Sequence, residues 1–406
     1  MNSTSPKLYL SAMGIVCPLG AGKNEVLENL LAGSQAGMLK SSDLLMDADV
    51  IVGKVQAKLP TIDNKFDLYN CRNNQLLLAA LAQIQSQVDS LINKYGSQRI
   101  AVVLGSSTSG ILEGEAALKV FLDSGDFPAD YHYKKQEMGS PAEFLSAYLG
   151  LDNIAITIST ACSSSGKAFA SARNYIQAGL CDAVIVGGVD SLCRLTINGF
   201  TSLESVSKNI CNPFSQNRDG ISIGEGAALF ILQAENSDME NTSEIVLTGV
   251  GESSDAHHMS APHPDGLGAI AAMQAALSDA ELAATDIDYI NLHGTATPKN
   301  DAMETQAMLS VFGADKLCSS SKPLTGHTLG AAGAVELALC WLILCRENTR
   351  HQLPPHIWDK IQDVSMPPLN LVKSGRTEKT HKVMSNSFAF GGSNVSLILE
   401  KIILEK

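Results

Sequence analysis

The stretch TISTACSSSGKAFASARNYI, residues 157–176, changes its periodicity midway. Ile154, Ile156 and Ile158 alternate with Ala155, Thr157 and Ser159, the two-residue repeat of a strand. From Ala168 onward, Phe169, Ala172, Tyr175 and Ile176 follow helical spacing instead. Cys162 therefore stands where a strand ends and a helix begins. The free N–H groups and the dipole of a first helical turn favour negative charge there. A thiolate is the nucleophilic form of cysteine, so a lowered pKa is the expectation at this position. Ala161, Ser163, Ser164, Ser165 and Gly166 are small and leave the sulfur approachable. A buried cysteine serving as a small apolar side chain fits the same residues. Both readings stand at this level.

The rest of the chain bounds the choice. At 406 residues it can form two domains or one large duplicated one around a sizeable core. Hydrophobic residues make up 45% and charged residues 17%, a globular and not a disordered balance. A net charge of −13 disfavours a nucleic-acid partner, and an acidic protein partner would need a local basic patch. Nine cysteines show no CxxC pairing, so neither a disulfide framework nor a zinc site is expected. The N-terminal MNSTSPKLYLSAMG lacks a basic segment followed by a long apolar run, which argues against a signal peptide. The most apolar helix, near 334–345, contains Glu336 and is too short to span a bilayer. The expected compartment is the cytoplasm, with no membrane partner.

Strand-like and helix-like segments alternate along the chain, which predicts parallel βαβ units covered on both faces. The alternation occurs in 1–244 and again in 245–406, suggesting a duplication with Cys162 in the first half. Residues 74–96 read as one long helix, and 40–66 as a loop-rich excursion. Three further stretches place unusual residues at predicted strand ends. They are NLHGTATPKNDAME with His293, SSSKPLTGHTLGAAGAVE with Lys322 and His327, and NSFAFGGSN with Phe388, Phe390 and Gly391–Gly392. Ligands gather outside the carboxyl ends of parallel strands, so Cys162, His293 and His327 can share one site. Each histidine alone could be a satisfied structural residue. His257, His258 and His263 also cluster, but no carboxylate or cysteine completes a ligand pattern, and loop packing is the preferred reading.

Taken in order, STACSSS, NLHGTATP, SKPLTGHTLGAAGAVE and NSFAFGGSN resemble the elongating β-ketoacyl-acyl carrier protein synthases across essentially the whole chain. The resemblance implies an α/β thiolase-like duplicated fold, five-layered α-β-α-β-α. It implies a catalytic triad of Cys162, His293 and His327, with Lys322 and Glu336 in support. It implies an acyl-Cys162 intermediate, an oxyanion hole at the backbone N–H groups of Cys162 and Phe390, and Phe390 as a gate. Thr295 and Thr297 match positions that contact phosphopantetheine, and Thr108 falls where the acyl pocket is lined. No metal and no organic cofactor is implied. The partners implied are acyl carrier protein and a second subunit, giving either a homodimer or a heterodimer with a homologous synthase or chain-length factor. Arg72, Lys134, Lys135 and Lys208 are the expected carrier-protein docking patch. A non-elongating chain-length factor is the alternative reading, but such subunits lack the nucleophilic cysteine. Ala389 stands where glycine is common in the gate loop and is expected to stiffen it. HGTATPKNDAME and LTGHTLGAAGAVELALCWL look closer to synthases of polyene pathways, so aryl polyene or polyketide elongation rivals fatty acid synthesis as the role.

Overall fold

Alternate residues of the central strands face two different cores. The computed structural model describes residues 7–45, 48–234 and 245–402. The half boundary expected at 244/245 falls at the edge of 235–244, outside the described residues. In the first half, strands β1 (Leu8–Cys17), β2 (Ile100–Gly105), β3 (Ala155–Ile158), β4 (Ala183–Asp190) and β5 (Gly226–Gln233) lie in the order β1-β5-β4-β2-β3. In the second, β6 (Ile245–Ser254), β7 (Tyr289–Asn291), β8 (Leu317–Ser319), β9 (Asn370–Leu371), β10 (Lys382–Phe388) and β11 (Ser393–Lys401) lie as β6-β11-β10-β7-β8-β9. Apart from the short edge strand β9, the second order repeats the first. The two sets join where Leu8 and Tyr9 of β1 pair with Leu247 and Val246 of β6.

The sheet is mixed, and the expected parallel βαβ units make up only part of it. β2 runs parallel to β3 and β4, and β7 parallel to β8 and β10. The first and last strands of each half, β1 with β5 and β6 with β11, are antiparallel to their neighbours. Helical crossovers constrain only the three strands between them.

Helices α6 (Ser164–Gln177) and α11 (Ala332–Leu344) pack between the two halves of the sheet. Their side chains meet Ala101, Val103, Val184 and Phe230 on one side and Val383, Val395 and Leu397 on the other. The residues in between point outward. Ile100, Val102 and Leu104 meet α2 (Arg72–Leu81) and α5 (Ser140–Leu149), whereas Ile290, Met384 and Ile398 meet α8 (Leu267–Asp279). This gives the five layers α-β-α-β-α. All thirteen residues of α11 are buried, twelve of them uncharged, and a helix buried on every side belongs in such a middle layer.

The helix expected over 74–96 is instead two, α2 and α3 (Gln85–Tyr95). The break lets the Gln83 amide accept from the Ile15 N–H at 3.0 Å and donate to the Ile15 carbonyl at 2.8 Å. A side chain thus bonds both backbone groups of Ile15 in β1. The 40–66 excursion contains a hairpin, Met38–Ser41 with Val50–Gly53. The remaining helices that bear on the site are α1 (Lys23–Ala32), α4 (Ile111–Ser124), α7 (Arg194–Ser202), α9 (Pro298–Phe312) and the one-turn α10 (Lys322–Thr325).

Candidate active site

Cys162 lies between the end of β3 and the start of α6, as its periodicity break predicts. Ala161 before it is left-handed, at φ 53°. An L-residue rarely adopts this conformation, and here it turns the chain sharply enough to present the sulfur. Helices α6 and α11 cross at two glycines. A Cβ on Gly333 would sit 2.7 Å from the Gly166 nitrogen, so only glycine permits the approach. That crossing brings the loop entering α11, with His327, against the start of α6.

The sulfur and the two imidazoles form one cluster. One donor atom each from Cys162, His293 and His327 lies within 4.8 Å of the others, and all three side chains are buried. His327 Nε2 is 3.0 Å from Cys162 Sγ. Its Nδ1 accepts the Leu329 N–H at 3.2 Å, so the proton of the neutral ring resides on Nε2. His293 is fixed likewise, because Lys322 Nζ lies 3.4 Å from its Nδ1 and an ammonium only donates. Burial, and then the Lys322 charge, hold both histidines well below the usual imidazole range. Two neutral rings therefore present Nε2–H donors to a common space beside the sulfur.

Surrounding groups fix these positions. Glu304 of α9 accepts the N–H groups of His293 and Gly294, each at 2.7 Å. Lys322 donates to the His293 carbonyl and to Glu336 of α11, so it ties the His293 turn to the middle layer. The Lys322 carbonyl also accepts the Gly326 N–H at 2.8 Å, next to His327. Asp190, at the end of β4, accepts from the Ser106 and Thr108 hydroxyls and from the N–H groups of Ser107, Thr108 and Ala331. It joins β4 to the start of α11. Neither Asp190 nor Glu304 was singled out from sequence, although an aspartate closing the apolar run VIVGGVD is a visible signal.

The thiol departs from expectation. Burial pushes Cys162 up to about 11, against the lowering effects of Lys322 and of the Phe390 and Cys162 N–H groups. The helix start does favour the anion, but removal from water outweighs it. The resting sulfur is a neutral thiol. The same two N–H groups point at the sulfur. Phe390 is half-buried and packs against Phe200 of α7, with ring centroids 5.7 Å apart. Ser163 bonds Ser393 at 3.0 Å and so fastens the loop 388–393 to the cysteine turn. In that loop Gly391 and Gly392 are left-handed, at φ 84° and 78°, and Ala389 is not. The alanine fits without strain and leaves the turn to the glycines.

Thr295 and Thr297 are buried next to the site and bond each other at 3.0 Å. Thr108 does not offer its hydroxyl to a pocket, because that group donates to Asp190 and accepts the Ser191 N–H. The basic patch is corrected as well. Arg72 forms a two-pronged ion pair with Glu225, and Lys134 pairs with Glu137 and Glu143. Lys135 is buried, with Nζ on the Asp130 carbonyl at 2.8 Å. Of the four only Lys208 is exposed. Among the described residues, Cys162, His293 and His327 are the one close group of three ligand-type side chains. With both Nδ1 atoms engaged, the two imidazoles turn their Nε2 atoms toward the sulfur. His258 and His263 use Nδ1 to accept the Ser260 and Asp265 N–H groups.

Residues 8–237 match the N-terminal domain of β-ketoacyl synthases, and residues 245–357 match the C-terminal domain. The 3-oxoacyl-[acyl-carrier-protein] synthase 2 of Coxiella burnetii is 31% identical, covering 98% of this chain and 99% of its own. A solved structure of the ketosynthase ApeO in complex with its chain length factor ApeC, from Xenorhabdus doucetiae, contains a chain 46% identical to this one. It superposes with a TM-score of 0.92 over 99% of this chain and 100% of that one. A β-ketoacyl synthase from Burkholderia phymatum is 28% identical, with a TM-score of 0.87 over 98% and 100%. With both halves of the catalytic body matched in order, and the sulfur and two imidazoles converging between them, the chain belongs to the β-ketoacyl synthase family.

Proposed function

We propose that Cys162 carries the growing acyl chain, and that His293 and His327 drive its extension by malonyl-carrier protein. The reaction class is decarboxylative Claisen condensation, giving a 3-oxoacyl-carrier protein longer by two carbons. The observation that carries the assignment of roles is the pair of neutral imidazoles whose Nδ1 atoms are both occupied, leaving two Nε2–H donors beside one sulfur.

In the first half-reaction Cys162 Sγ attacks the thioester carbonyl of the acyl-carrier protein. The new C–S bond replaces the bond to pantetheine, and the cysteine proton ends on the departing pantetheine sulfur. The tetrahedral oxyanion is held by the N–H groups of Cys162 and Phe390. In the second, the malonyl carboxylate leaves as carbon dioxide and its electron pair forms an enolate. Two Nε2–H groups stabilise that oxygen, each worth about 3 to 4 kcal/mol at the transition state. Neutral donors suit the step, since they polarise the carbonyl without protonating the carbanion. The carbanion attacks the acyl-Cys162 carbonyl, the C–S bond breaks, and the freed thiolate takes up a proton. Lys322 acts by fixing the His293 ring, Thr295 and Thr297 receive the pantetheine arm, and Glu336 balances the lysine charge. No metal or organic cofactor enters this route, since phosphopantetheine arrives on the carrier protein.

The second subunit is a homologous chain-length factor. Supporting this, Leu118, Phe121, Leu122, Phe127, Tyr133 and Leu195 form an exposed apolar face on α4, its following loop and α7. The chain thus elongates an aryl polyene or polyketide type acyl group in the cytoplasm, and the aromatic rings of Phe127, Tyr131 and Tyr133 suit a conjugated chain. Among the described residues no helix is long and apolar enough to cross a membrane. The test is purification alone and after co-expression with a homologous subunit. A one-to-one complex whose products are longer than those of the chain alone supports the reading. A stable homodimer with an identical product range rules out the heterodimer.

A further inference from the structure

Helix α7 is weak by composition, and besides Glu115 it is held by Arg194 and Asn198 on the Asp43 and Leu44 carbonyls. Its sequence RLTINGFTS holds Gly199 in the interior and the β-branched Thr196, Ile197 and Thr201, all poor helix formers. Of its nine residues only Ile197 is buried, so little apolar packing holds it in place. Cys193 at its N-cap meets the Thr196 hydroxyl with its sulfur and gives the helix no side-chain cap. The missing cap comes from another helix. Glu115 of α4 accepts the Arg194 N–H at 3.0 Å and the Leu195 N–H at 2.6 Å, one on each carboxylate oxygen. These are the first two amides of α7, where a negative charge also meets the positive end of the dipole.

The helix joins two functional features. At its start Arg194, Leu195 and Asn198, with Glu115, line a cavity of about 1040 Å³ whose other walls include Phe127, Tyr131 and Tyr133. Near its end, Phe200 backs the ring of Phe390, whose N–H faces the Cys162 sulfur. A shift of α7 therefore moves the cavity wall and the support of the gate together.

We infer that Glu115 is a positioning residue for acyl-chain access: by capping α7 from α4 it holds Phe200 against Phe390 and keeps the gate shut until a chain is admitted. The inference rests on the synthase reading for its biological meaning, but its mechanics can be measured on the resting protein. Cys162 is alkylated with iodoacetamide and with N-decyl iodoacetamide, and the ratio of the two rates is recorded by intact mass. The long probe needs the gate displaced, and the short one serves as internal reference. Glu115→Ala is expected to raise the long-to-short ratio about fivefold, the size an N-cap contributes. Glu115→Gln, which keeps one acceptor, falls between. Phe200→Leu raises the ratio with Glu115 intact, and adding it to Glu115→Ala gives no further increase, because both act through one contact. A ratio that is unchanged or lower in Glu115→Ala, or two effects that simply multiply, overturns the inference. Wild-type protein that accepts no acyl group from any carrier protein defeats the synthase reading instead, and leaves the alkylation ratio as the judge of Glu115.

Discussion

Replacing Lys322 by methionine separates what this lysine does for the fold from what it does for the chemistry. Lys322 is fully buried and Glu336, its partner on α11, is 2% exposed. The carboxylate's second oxygen, Oε2, has no hydrogen-bond partner among the described residues. Lys322→Met keeps the volume but leaves a charge in the apolar middle layer, which then takes up a proton or forces local rearrangement. Breaking a buried pair from one side costs about 3 to 5 kcal/mol. Removing both charges does not, and the double change Lys322→Met with Glu336→Leu should return to near wild-type stability, since two well-packed apolar groups replace the pair. Activity should not return with it. His293 Nδ1 has lost the donor that fixed its tautomer, so the ring no longer presents Nε2–H reliably to the enolate. Equilibrium denaturation measures the first quantity, and decarboxylation of malonyl-carrier protein by the acylated enzyme measures the second. A double variant as active as wild type would refute the positioning argument. A single variant as stable as wild type would refute the argument from burial.

Further outcomes follow from the same geometry. His293→Ala should slow malonyl decarboxylation by about 100- to 1000-fold, the effect of one lost donor at an oxyanion, while Cys162 still takes an acyl group from primed carrier protein; rates of both half-reactions by mass spectrometry check it. Because the thiol is pushed up to about 11, its neutral form dominates at pH 7 and the thiolate fraction grows with pH. Alkylation of Cys162 by iodoacetamide should therefore climb about tenfold per pH unit from 7 to 10, and a plateau below pH 9 would contradict this. Asp190→Ala leaves the N–H groups of Ser107, Thr108 and Ala331 without their acceptor, at about 1 to 3 kcal/mol each. Thermal unfolding should show a marked loss of stability.

The three residues that converge on the site were legible in the sequence because each stands at a break in periodicity. Cys162 follows the last alternating residue of β3, His293 the apolar end of β7, and His327 the turn into α11. The strand-to-helix position of Cys162 argues for thiolate character, and burial outweighs it. The state of the sulfur was not legible, because the desolvation that decides it is a sum over neighbours from α11, the gate loop and the His293 turn. Tautomers were hidden for the same reason. They depend on the Leu329 N–H and on Lys322 Nζ. The basic patch failed because sequence shows the charge of Lys135 and Arg72 but not the Asp130 carbonyl or Glu225 that occupies it. The break in the 74–96 helix required knowing that Gln83 would lie beside Ile15, sixty-eight positions away.

The most direct test of the account is the mass of the Cys162 peptide after the protein meets acyl- and aryl-primed carrier proteins, and again after malonyl-carrier protein is added. The account predicts an acyl thioester on Cys162 in the first sample. In the second it predicts loss of that thioester, with a carrier-bound product two carbons longer. No thioester with any primer, or a Cys162→Ala variant that elongates like wild type, would contradict it.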